Sequence, residues 1–173
     1  MNLIITCQRN LEGPTILEIR NFLERFGDAE ASIEKTVFSG IVEVETKLDI
    51  IKVLDNFKEI IEDEPWLIKY CSRIIPIQRE CESKMDEIKN EVTNLSHIIK
   101  KNDTYRITVE KRQSSLQTKD IISNIAGSLS NKVSLENSDW EIIVQVLRNK
   151  TGISIIPPDT ILSINKQKRV ELD

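Results

Sequence analysis

The chain has 173 residues, 39% of them hydrophobic and 30% charged, with a formal net charge of −4 and a pI near 5.3. That is enough apolar material for one ordinary core or two small ones. No run approaches the roughly 20 apolar residues needed to span a bilayer, and the opening MNLIITCQRN has no basic leader of the kind that starts a signal peptide.

Asn2–Cys7 predicts a short strand. After Gly13-Pro14, Ile16, Ile19, Leu23 and Phe26 fall on three- and four-residue steps and predict a helix ended by Gly27. Ala29–Glu34 predicts a weak strand, and Val37–Glu45 a second, with Val42 and Val44 facing away from Ile41, Glu43 and Glu45. Ile50, Val53, Leu54, Phe57, Ile60 and Ile61 mark another amphipathic helix, stopped by Glu62-Asp63-Glu64 and Pro65. Trp66–Ile77 predicts a strand. Strand, helix, strand, strand, helix, strand is the order of a ferredoxin-like domain, assigned to residues 1–80.

The second half opens with a helical run, Glu82–Lys100, whose apolar stripe is Met85, Ile88, Val92, Leu95 and Ile99. Thr104–Arg112 alternates as a strand, with Tyr105, Ile107 and Val109 on one face. The next helix turns Ile121, Ile122, Ile125, Ala126 and Leu129 inward, with Thr118 as its expected N-cap and Asp120 suited to the positive end of the dipole. Trp140–Arg148 is apolar on both faces in its middle, which predicts a central strand. Asn149–Gly152 predicts a turn and Ile153–Ile156 a returning strand. These elements assign residues 81–160 to a second α+β domain, and residues 161–173 to a basic, flexible tail.

Most chemistry is missing from this pattern. There is no phosphate-binding glycine loop among the five glycines. His97, the one histidine, lies beside an apolar stripe and reads as a structural or surface residue. Cys7, Cys71 and Cys81 are odd in number and lack C-x-x-C spacing, which fits reduced thiols in a cytosolic compartment and neither a zinc site nor a disulfide framework. Cys81, placed before a helix, could have its thiol pKa lowered by the dipole, but no partner base accompanies it. No catalytic constellation, metal set or cofactor motif is expected.

Charge is distributed unevenly along the chain. Residues 1–99 hold 12 Lys and Arg against 19 Asp and Glu, residues 100–173 hold 12 against 9, either by chance or because one half faces an anion. The stretch VEKRQSSLQTKDII concentrates the question. Lys111 and Arg112 close a strand, Ser114 and Ser115 supply hydroxyls, and Lys119 lies in the first turn of the next helix. Free N–H groups at a helix N-terminus with flanking cations suit a phosphate, and the hairpin turn can add Arg148 and Lys150. A solubilising charged edge accounts for the same composition equally well.

The segments YRITVEKRQSSLQTKDIISNIAG, VSLENSDWEIIVQVL and TGISI resemble the THUMP domain, an RNA-binding module of tRNA-modifying enzymes. RIIPIQRECESKMDEI most resembles the small adaptor of tRNA cytidine acetylation. The resemblance implies an α+β protein, an N-terminal ferredoxin-like domain followed by a THUMP domain, with tRNA and an RNA cytidine acetyltransferase as partners. It implies cytoplasmic location, no membrane, and no catalysis by this chain, whose 173 residues are filled by the two modules. RNA-contacting positions would be Lys111, Arg112, Ser114, Ser115, Lys119, Arg148 and Lys150. A THUMP protein serving another RNA-modifying enzyme is the alternative. A ligand-sensing regulatory domain and a free-standing enzyme are weaker ones, since ligand loops and catalytic groups are both lacking.

Overall fold

Leu3, Ile5, Val42, Val44 and Ile74 alternate with residues of the opposite face along their strands, so pairing those strands brings five aliphatic chains onto one side of a sheet. A computed structural model describes residues 1–170, and in it the chain forms two units, Met1–Pro76 with the segment from Ile161, and Ile77–Thr160. The first runs β1 (Leu3–Cys7), α1 (Glu12–Phe26), β2 (Ser32–Lys35), β3 (Ile41–Glu45), α2 (Ile50–Asp63) and β4 (Cys71–Pro76). All its strand pairs are antiparallel, in the order β4-β1-β3-β2, which is the ferredoxin-like arrangement. Ile19, Leu23, Val53, Leu54 and Phe57 of the two helices fill its core, where the Phe57 ring meets Phe22 and Phe26 edge-on at 5.3 and 5.2 Å.

A buried carboxylate ties the start of α1 to the sheet. Glu12 Oε1 accepts hydrogen bonds from the Gly40 N–H and the Ser39 hydroxyl, and Lys35 Nζ lies 3.6 Å from Oε2. Gly40 has φ +77°, and a Cβ there would lie 2.7 Å from the Cys7 carbonyl oxygen, so only glycine fits the turn that presents this N–H. The Gly40 N–H, foremost, holds the Glu12 carboxyl down to about 2, against 4.5 ordinarily. A depressed carboxylate stabilises the fold fully above the ordinary value and loses that contribution as pH falls through the folded one. Urea midpoints measured from about pH 5 to pH 2 should fall as the acid is added, and Glu12→Gln should start lower and fall less.

The second unit contains β5 (Arg79–Glu82), α3 (Met85–Leu95), β6 (Thr104–Arg112), α4 (Thr118–Ser128), β7 (Lys132–Val133), β8 (Trp140–Leu147) and β9 (Lys150–Ile156). Its sheet order is β5-β9-β8-β6-β7, with β6 parallel to both β7 and β8. β8 is the middle strand, and Ile142, Ile143, Val144, Gln145, Val146 and Leu147 are all buried, which is why it reads as apolar on both faces. Ile88 and Val92 of α3 and Ile121 and Ile125 of α4 pack with Ile142, Val144 and Val146 on one side.

Several boundaries differ from the sequence reading. The strand expected at Trp66–Ile77 begins only at Cys71. Pro65–Leu67 form a 3₁₀ turn, and the Lys69 and Tyr70 N–H groups donate to the Glu18 carboxylate instead of a ladder. The helix expected over Glu82–Lys100 is confined to α3, Met85–Leu95, with Glu82 closing β5 and a 3₁₀ turn at Ser96–Ile98. The turn expected at Asn149–Gly152 is only Arg148-Asn149, and Gly152 sits inside β9, where a Cβ would lie 2.8 Å from Ile77 Cδ1. This glycine marks a close approach, not a turn.

The basic tail is a correction. Leu162–Ser163 form β10, antiparallel to β4, and Ile164–Val170 form α5. Leu162 and Ile164 are buried in the N-terminal core, as their apolar side chains among polar neighbours require. Residues 171–173 of that expected tail lie outside the described residues.

Candidate nucleic-acid interface

The parallel pairing of β6 and β8 sets Arg112 opposite Leu147, so both strands end at the same level of the sheet. Each then turns through a left-handed residue, Gln113 at φ 48° and Arg148 at φ 58°, an uncommon conformation for side chains with a Cβ. The Arg148 N–H donates to the Arg112 carbonyl at 2.9 Å, which fastens the hairpin turn beside the loop leading to α4. Arg112, Arg148 and Lys119, in the first turn of α4, are all exposed.

The loop is held from inside. Lys111 Nζ donates to the Leu116 carbonyl at 2.8 Å, and Ser114 Oγ accepts from the Leu116 N–H at 3.2 Å. Gln117 Nε2 donates to the Ser115 carbonyl at 3.2 Å. Lys111 is thus half-buried and spends its charge on the loop backbone, while the Ser114 hydroxyl, used there as an acceptor, retains a proton to donate. Thr118 is not the N-cap. Gln117 occupies that position without a side-chain cap bond, and Thr118 is the first helical residue. Its uncapped N–H groups add a positive end to the arginine pair.

Of the seven residues singled out in the sequence, the fold therefore gathers Arg112, Ser114, Ser115, Lys119 and Arg148 around one sheet end. Lys111 braces the loop. Lys150 lies half-buried in β9, opposite Leu147 on one side and Glu82 on the other, and is not a free cation. Behind the site, Arg106 and Thr108 of β6 bond the Glu141 carboxylate of β8 at 2.8 and 2.6 Å. This cross-strand lock fixes the two strands in register, and only knowledge of the pairing of β6 with β8 could have revealed it. At the far end of the same strands, Trp140 Nε1 donates to Asp103 at 2.8 Å, and the Thr104 N–H to Asp139 at 2.8 Å.

Charge follows the folded units differently from the chain halves. Ile77–Thr160 hold 12 basic and 12 acidic residues, because acidic β5 and α3 belong to this unit. Arg112 and Arg148 stand at the β6 and β8 ends, with Glu82 at the same level of the sheet opposite Lys150 and Asp120 beside Lys119 in the first turn of α4, while Glu80, Asp86, Glu87 and Glu91 belong to β5 and α3. Cys81 lies in β5 rather than at a helix start, and burial, then Glu91, Glu87 and Glu80, push its thiol up to about 11. It is protonated and a poor nucleophile at neutral pH. Cys7 is raised too, chiefly by burial. Among the described residues no three His, Cys, Asp or Glu side chains are grouped to hold a metal ion, and no helix is long and apolar enough to cross a membrane.

Comparison with known proteins agrees with this frame. A protein of Methanocaldococcus jannaschii is 28% identical over 174 residues, covering 98% of this chain and 44% of its own. PH1313 from Pyrococcus horikoshii superposes with a TM-score of 0.68 at 17% identity, over 91% of this chain and 55% of that one. A 4-thiouridine synthetase, solved in complex with RNA and ATP, gives a TM-score of 0.50 at 12% identity, over 92% of this chain and 44% of that one. The chain thus spans about half the length of these relatives or somewhat less. The THUMP domain model matches residues 82–156. This chain carries a THUMP domain at residues 82–156, preceded by a ferredoxin-like N-terminal domain.

Proposed function

We propose that this chain is a non-catalytic tRNA-binding adaptor that presents tRNA to an RNA cytidine acetyltransferase for acetylcytidine formation. The observation that carries the RNA reading is the convergence of Arg112, Arg148, Lys119 and the uncapped start of α4 at one end of the THUMP sheet. Guanidinium groups suit phosphate oxygens because their paired donors match the anion's geometry. The 4-thiouridine synthetase complex with RNA adds a neighbour of the same fold that holds RNA. The acetylation partner rests on the resemblance of Arg73–Ile88 to the small adaptor of that reaction. Protonated Cys7 and Cys81 supply no activated nucleophile, in keeping with a binding role.

Purified chain with acetyl-CoA and tRNA should yield no acetylcytidine. Adding the host RNA acetyltransferase should produce it, and omitting this chain should reduce tRNA acetylation to a small fraction. Activity from the chain alone contradicts the reading. Full acetylation without it transfers the RNA-binding role to a different modifying enzyme.

A further inference from the structure

Within the N-terminal unit, Pro14 and Leu17 of α1 face Trp66, Leu67 and Tyr70 across a shallow open groove. Leu17 is 62% exposed, Trp66 64% and Tyr70 also exposed, a large apolar surface for a domain that buries Phe22, Phe38 and Phe57. The groove is fixed by its own scaffold. The Glu18 carboxylate accepts the backbone N–H groups of Lys69, Tyr70 and Cys71, the last at 2.8 Å, clamping the loop that bears Tyr70 onto the helix that bears Leu17. Pro65 starts the 3₁₀ turn that sets the Trp66 backbone. An exposed tryptophan on a braced backbone is what binding hot spots use, since little order is lost on docking.

The residues leading into the groove point to the kind of occupant. Glu62, Asp63 and Glu64, all exposed, directly precede Pro65-Trp66, while the groove lining itself carries one cation, Lys69, and one carboxylate, Glu18. Three carboxylates next to Trp66 in the chain repel a phosphate backbone and attract cations around an apolar contact. We propose that this groove docks a Lys- and Arg-rich segment of a protein partner, which lays an apolar side chain against Trp66. The groove belongs to the N-terminal unit and the arginine pair to the THUMP unit, and its argument does not depend on the identity of the RNA.

The test replaces Trp66 with photoreactive p-benzoylphenylalanine in the full chain, expressed in its own host, with Val37, also exposed and in the same unit, as the control position. After irradiation, the cross-linked peptides are sequenced by mass spectrometry. The expected result is a protein adduct on a segment with several Lys or Arg around an apolar residue, at about tenfold the Val37 yield. Combining Glu62→Lys, Asp63→Lys and Glu64→Lys should remove most of that adduct without weakening tRNA binding. An adduct to RNA, to a second copy of this chain, or to an acidic or uncharged segment overturns the proposal. So does a yield equal to the Val37 control, or one indifferent to the charge reversal.

Discussion

Reversing Arg112 and Arg148 together, to Glu in each case, should lower tRNA affinity about 100-fold or more while leaving the fold intact. Both side chains are exposed at strand ends and bury nothing. A charge-assisted hydrogen bond contributes roughly 1.5–3 kcal/mol, so losing two at the lower value already costs about two decades. The logarithmic salt dependence should flatten by about 0.7–0.9 per lost phosphate contact, read from anisotropy titrations between about 50 and 200 mM salt. Two single variants separate charge from shape. Arg148→Gly keeps the left-handed turn, which glycine adopts without strain, and should lose about tenfold in affinity through the cation alone. Lys111→Met breaks the bond to the Leu116 carbonyl, so its effect enters through the loop and should be accompanied by faster amide exchange over residues 113–117. A folded double-Glu variant with affinity within about twofold of the wild type would reduce the stretch to a solubilising edge.

The elements of the fold were readable wherever burial imposes a period. β8 shows two apolar faces because it is the middle strand of five, and α2 shows a clean stripe because Val53, Leu54, Phe57, Ile60 and Ile61 all point into one core. Reading failed where a contact distant in sequence replaces the ladder. Nothing near Lys69 or Tyr70 announces that their N–H groups go to Glu18, some fifty residues earlier. Gly152 looked like a turn because the side chain that needs the space, Ile77, is far away in sequence. The same limit governs the site. Lys111 and Arg112 are adjacent and look alike, yet the strand twofold alternation turns them to opposite faces, one into the loop and one outward. The meeting of Arg112 with Arg148 depends on β6 and β8 being parallel and in that register, which composition does not encode.

Charge illustrates the point from the other side. Counting with a split at residue 99 placed the excess of cations in the second part, but the domain boundary, at 80/81 in the sequence reading and at Pro76 in the fold, puts the acidic α3 in the THUMP unit. What remains is a neutral unit with two exposed arginines at one sheet end. For binding a polyanion, the local arrangement governs contact while net charge governs long-range steering. A tRNA held this way should associate without strong steering and release readily.

Ending the chain at Thr160 should unfold the N-terminal unit or bring it close to unfolding. The residues after Thr160 begin with a strand, Leu162 paired to Ile74 and Ser163 to Arg73, on the edge of β4. Leu162 is 0% and Ile164 1% exposed, both inside the cluster that contains Phe57 and Ile74. Truncating a buried leucine or isoleucine to alanine costs about 2–5 kcal/mol, so removing both approaches the whole stability of a typical domain, roughly 5–15 kcal/mol. Losing β10 also leaves the β4 edge unpaired, an invitation to association between chains. The double variant Leu162→Ala and Ile164→Ala should lower the urea midpoint strongly, and the conservative pair Leu162→Met and Ile164→Val should cost only about 1 kcal/mol per site. Amide exchange at Ile74 and Arg73 reports the same loss at the level of the strand. A truncated chain with an unchanged urea midpoint would return residues 161 onward to the role of a tail, whereas the predicted collapse makes them the last strand and helix of the N-terminal fold, reached only after the chain has completed the THUMP unit.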